Sequence, residues 1–235
     1  MKSDFSSYVA QFVRYPNYLR DAEDGLLESI RLNNPVVFAG HYNGDLNIMI
    51  KGADKLFEKI GKAGAIALER GPAKSTAPLA DKPETKEHQP HLMEEFNDFF
   101  KFIQPRIREV LNRHTYPKDM PYYISKSWVN EHFKDGETLE HVHGTTTIVI
   151  SFYLTKTLES GNIWFRDPDH QIRAHEFSEQ SSYAWREIPA ISGDFILFPG
   201  WLPHKTGVSF SDERRIVLTA NIMADEKEYL KNVQK

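Results

Sequence analysis

The sequence predicts an α+β chain, a largely helical first part packed on the outside of an antiparallel jelly roll. Three observations predict it. Short β-favouring runs separated by turns recur at 139–143, 146–155, 162–166, 193–199, 204–208 and 214–223, the spacing of a sandwich or barrel. An apolar stripe at helical period runs upstream of them, from Leu92 to Leu111. The chain has 235 residues, 40% of them hydrophobic, enough for one domain with a substantial core. We therefore expect a single domain over 1–235: a mainly helical part at 1–120, a jelly-roll core at 121–223 and a tail at 224–235.

In the first part, Val9, Phe12, Val13, Leu19, Leu26, Leu27 and Ile30 recur at three and four around Pro16, which predicts two short helices over Tyr8–Leu32. Pro35–Gly40 reads as a short strand or loop, and His41–Asp45 has turn chemistry. Lys51–Glu69 carries Leu56, Ile60, Ile66 and Leu68 among four lysines, a helix or helix pair with a wet basic face. Gly71–Pro90 lacks an apolar period and reads as a long surface loop, with His88 and His91 as loop histidines. Leu92, Phe96, Phe99, Phe100, Ile103, Ile107, Val110 and Leu111 then form one greasy face that needs a sheet to cover it.

After Pro117 the character changes. Tyr122–Asn130 is aromatic and β-favouring and leads to an Asp135–Gly136 turn. In 147–154 the even positions Ile148, Ile150, Phe152 and Leu154 are apolar, while Thr147, Val149, Ser151 and Tyr153 share the mixed face. The last strand repeats this division. Ile216, Leu218, Ala220 and Ile222 form its core side, opposite Arg215, Val217, Thr219 and Asn221.

Composition removes several functions. A net charge of -4 and a pI near 6.2 leave no basic footprint, so nucleic acid is not an expected partner. There is no cysteine, so disulfides and thiolate metal sites are excluded, and any metal must be held by His and carboxylate. Met1–Ser7 leads into no sustained apolar segment and no later run approaches membrane-spanning length; a cytoplasmic protein without a membrane partner is expected.

The candidate chemistry sits in His141-Val142-His143. Residues two apart in an extended chain point the same way, so both imidazoles face one side. His204, after an apolar run and a turn, completes a three-histidine metal site if the roll brings the strands together. Iron, zinc, copper and nickel all accept such ligands. Tyr153 and Arg215, on the polar faces of flanking strands, are suited to a carboxylate: a planar guanidinium fork and a hydroxyl donor.

These residues resemble the iron- and 2-oxoglutarate-dependent oxygenases, in a prolyl-hydroxylase-like branch. The resemblance is carried by Trp128-Val129-Asn130, His141-Val142-His143, Phe152-Tyr153-Leu154, Gly161–Pro168 and Phe198–His204, over about residues 122–222. It implies a double-stranded β-helix with Fe(II) on His141, His143 and His204, and 2-oxoglutarate anchored by Arg215 and Tyr153 with Asn130 and Asn221 nearby. Trp128 and Trp201 would line the mouth, chiefly as packing groups. The implied reaction consumes O2 and 2-oxoglutarate, hydroxylates a C–H bond of a peptide, protein or free metabolite, and releases succinate and CO2. The family's usual pattern is H-x-D/E, whereas this chain has His143 at the carboxylate position. Asp167 is the alternative third ligand and Arg214, given a bulge, the alternative to Arg215. Two other readings remain: a three-histidine dioxygenase that needs no 2-oxo acid, and a non-catalytic cupin-like roll.

Overall fold

The computed structural model describes residues 28–31, 36–60, 68–80, 88–114, 116–167 and 184–233. Two sheets face each other as a jelly roll. The larger sheet has the order β1-β2-β10-β7-β12-β5-β4, all pairs antiparallel. Its strands are β1 (Glu28–Arg31), β2 (Val36–His41), β4 (Ala73–Ser75), β5 (Tyr122–His132), β7 (Ile148–Thr155), β10 (Asp194–Pro199) and β12 (Arg215–Ala224). Opposite lies a sheet of order β11-β8-β9, built from β8 (Ile163–Arg166), β9 (Trp185–Ile188) and β11 (His204–Thr206). A two-stranded ribbon of β3 (Glu69–Arg70) and β6 (Glu137–Thr138) completes the β structure among the described residues.

The alternation read from the sequence holds in the two central strands and separates two cores. Ile148, Ile150, Phe152, Leu154, Ile216, Leu218, Ala220 and Ile222 join the core on the outer face of the large sheet. Val149, Tyr153 and Val217 join Ile163, Phe165 and Phe198 in the core between the sheets. The outer core is covered by α1 (Leu46–Ile60) and α3 (Asn97–Arg113), with Phe99 stacked on Phe152 at 3.8 Å between ring centroids. The long helix thus packs outside the roll, as expected from its stripe. Arg214 ties α1 to the sheet through Asp54 at 2.6 and 3.1 Å and reaches Glu131 at 3.1 Å.

The first part is less helical than expected. Residues 28–31, the end of the anticipated second helix, form edge strand β1, and 36–41 form β2 between β1 and β10. Pairing to a buried sheet edge outweighs the weak helical period there. The helix expectation over 8–27 lies outside the described residues. Glu69 belongs to a strand rather than to the end of a helix, and the expected loop at 71–90 contains β4 and a one-turn helix, α2 (Ala77–Ala80). Leu92 falls in a 3-10 turn, Pro90–Leu92, and is 57% exposed, so the buried stripe begins at Phe96. The predicted Asp135–Gly136 turn is present, with Asp135 at φ 66. The tail forms α4 (Glu226–Val233). No helix among the described residues is long and apolar enough to cross a membrane.

Candidate metal centre

His141 is not in a regular strand. It makes a single antiparallel bridge to His204, exchanging both backbone hydrogen bonds at 2.9 and 3.0 Å. The chain stays extended to His143, whose N–H donates to the Gly200 carbonyl at 2.7 Å. That contact requires glycine, since a Cβ on residue 200 would lie 2.2 Å from the Thr146 carbonyl oxygen. Two hairpin-like contacts therefore bring distant stretches together, and one ligand atom from each of His141, His143 and His204 lies within 4.8 Å of the other two.

The orientation of the three rings is fixed from behind. Nδ1 of His141 lies 2.8 Å from the Leu139 carbonyl, Nδ1 of His204 lies 2.9 Å from the Leu202 carbonyl, and Nδ1 of His143 lies 2.8 Å from Oδ1 of Asn221. An oxygen of this kind only accepts, so each Nδ1 carries the proton and each Nε2 presents a lone pair. Burial lowers all three pKa values, that of His143 to about 4, with the neighbouring histidines depressing His143 and His204 further. The rings are neutral at pH 7, as metal ligation demands.

The cluster opens on a cavity of about 640 Å³ between the sheets. Tyr153, Asn130, Asn221, Thr206 and Trp128 line it, with Leu68, Ala77, Pro78 and Val142 on the side contributed by loops and the first part. Trp128 stacks on His143 at 5.7 Å. Trp201 is 52% exposed and does not line the cavity, so the expectation of a packed tryptophan at the mouth fails there. Asn221 spends its oxygen on His143, and Asn130 Oδ1 has no partner among the described residues.

Arg215 is fully buried. Its Nη1 donates to the Ser160 carbonyl and to those of Gly161 and Gly207 at 3.1 and 3.3 Å, and its Nη2 donates to Thr206 Oγ1 at 3.0 Å. Nε has no acceptor. Among the described residues no carboxylate pairs with this guanidinium, an arrangement costly without an anion. Arg214 faces outward to Asp54 and Glu131. Asp167 is buried but stands outside the histidine cluster and the cavity wall.

The sequence reading missed a second polar group on the wall. His132 Nε2 lies 2.5 Å from Glu69 Oε2, and Thr138 Oγ1 lies 3.0 Å from both. His132 shares strand parity with Trp128 and Asn130, so ending the predicted strand two residues early hid it. No sequence signal connects Glu69 to this wall.

Residues 126–221 match a family model described as "Putative 2OG-Fe(II) oxygenase". That match spans the barrel segment alone. Solved structures agree in fold at low identity. HygX from Streptomyces hygroscopicus, with nickel and 2-oxoglutarate bound, is 11% identical over 83% of this chain and 85% of its own, with a TM-score of 0.55. The alpha-ketoglutarate-dependent carbocyclase SnoK of nogalamycin biosynthesis is 14% identical over 94% and 89%, TM-score 0.52. A Pseudomonas putida prolyl-4-hydroxylase is 9% identical over 83% and 95%, TM-score 0.51. No curated protein sequence matches the chain. The three histidines all fall within the matched segment, whereas the wall residues Leu68, Glu69, Ala77 and Pro78 lie before it.

Proposed function

We propose that this chain is a non-haem Fe(II)- and 2-oxoglutarate-dependent dioxygenase that hydroxylates a C–H bond. The observation that carries the reading is the convergence of three Nε2 lone pairs, each fixed by an Nδ1–H bond to oxygen, inside the matched segment. Fe(II) bound there, with 2-oxoglutarate and O2, supplies the oxidant that turns C–H into C–OH while the oxo acid leaves as succinate and CO2.

The donor set fits these groups. Neutral imidazoles take a divalent first-row metal. The unpartnered Nε of Arg215 and the second N–H of Nη2 leave a guanidinium edge for the distal carboxylate of 2-oxoglutarate. Tyr153 lines the cavity in the same inner core and gives that carboxylate a hydroxyl; burial pushes its pKa well up, so it stays a donor. Asn130 offers its amide to co-substrate or substrate. The two sheets exclude water around the reacting groups, and the substrate enters on the side of Leu68, Pro78 and Val142. A peptide or protein side chain and a free metabolite both fit a cavity of this size.

The test is oxygen uptake and succinate formation by protein loaded with Fe(II) under anaerobic conditions, then given O2 with and without 2-oxoglutarate. Uptake and succinate that depend on the oxo acid and vanish in His143→Ala support the reading. The His143 ligand in place of a carboxylate also favours a three-histidine dioxygenase; uptake without the oxo acid would assign that activity. Metal uptake without turnover would leave a cupin-like binding roll.

A further inference from the structure

The cavity holds a carboxylate to which the reading above gives no task. The Glu69 side chain is 2% exposed. Its Oε2 accepts from His132 and Thr138, while Oε1 is buried with no donor among the described residues. Among the described residues no lysine or arginine lies within ion-pair distance of it. A carboxylate in such a place is costly unless a positive charge offsets it through the low-dielectric interior. Two positions for positive charge lie near Glu69. Arg215 is the cross-strand partner of His132, and the metal position lies beside His141, whose backbone neighbour Leu139 donates its N–H to the Leu68 carbonyl. The field of Glu69 reaches both His141 and Arg215.

Charge conservation gives this carboxylate a purpose. In a site with two histidines and one carboxylate, the bound carboxylate cancels one charge of the dication. Three neutral imidazoles cancel none. With a dianionic oxo acid and the Arg215 guanidinium in place, the buried cavity would be left with one positive charge over, and in such surroundings an unbalanced charge is felt strongly. Lys126, at the rim over the Trp128 ring at 5.2 Å, adds to the positive side. We propose that Glu69 is the counter-charge of the metal centre, supplying from the cavity wall the negative charge that a carboxylate at position 143 would supply by direct ligation. This rests on the metal reading of the three histidines. A ligand ammonium group bound at Oε1 would restore the excess positive charge, which disfavours a cationic substrate group there.

The experiment is a double-mutant cycle of Glu69→Gln and His143→Asp, reading the Mn(II) dissociation constant by calorimetry, with thermal melting to confirm folding. In the His143 background, Glu69→Gln should weaken Mn(II) binding by roughly tenfold, the scale found for groups just outside a ligand shell. In the His143→Asp background the same change should cost less than about twofold, because the ligand then carries the charge. Thr138→Val, which removes a hydrogen bond to Glu69 and keeps its charge, should cost less than about threefold. Glu69→Ala takes the place of the glutamine variant if a buried amide prevents folding. Equal losses in both backgrounds, or none in either, overturn the proposal. A wild type that takes up no Mn(II) overturns the metal reading itself, an outcome seen before any variant is made.

Discussion

Asn221→Leu removes the acceptor behind His143 and frees its imidazole to rotate. Metal affinity should fall by roughly ten- to a hundredfold while the melting transition stays close to wild type, checked by titration with Mn(II). Gly161 is a second such position. At φ +74, an added Cβ would meet the Gly207 carbonyl at 2.3 Å and Arg215 Nη1 at 2.7 Å. Gly161→Ala should destabilise the fold by about 1–3 kcal/mol in urea unfolding and weaken 2-oxoglutarate binding more than metal binding. At this scale the sequence was informative where chemistry has a spacing. H-x-H, the distal histidine and the parity of Arg215 with Asn221 could be read, because period two survives in an extended chain. Leu139 and Leu202 as orienting groups could not, since any residue carries a carbonyl.

Among the elements, α3 shows most clearly how pattern becomes packing. Phe96, Phe99, Phe100, Ile103, Ile107, Val110 and Leu111 are all buried against the large sheet, and Phe99 stacks on Phe152 of the strand that also carries Tyr153. Phe99→Ala should cost about 3–5 kcal/mol in chemical denaturation, the range for deleting a buried aromatic ring. Several short elements were not legible. β9 follows a stretch without strong alternation, and β1 is pinned by pairing to β2 rather than by its own residues. β3 has only two residues, too short for any period to show, yet it carries Glu69 to the wall.

For the whole molecule, the buried histidines set an acid limit. Burial lowers the pKa of His91 from 6.5 to about 4, and lowers that of His132 as well. Both are neutral when folded and free to take a proton when unfolded. Between pH 6.5 and about 4 the unfolded chain therefore binds more protons, and stability falls as pH drops through that window. Urea midpoints measured across it should decline, and His91→Asn should flatten part of the decline by removing one such group. The distribution of the cavity wall along the chain has a different consequence. The clamp and its guanidinium occupy 141–215, whereas Leu68, Glu69, Ala77 and Pro78 belong to a separate run that reaches the same space through a two-residue ribbon and one short helix. Glu69 apart, the early stretch can therefore be rewritten to admit a differently shaped molecule while every histidine of the clamp stays as it is.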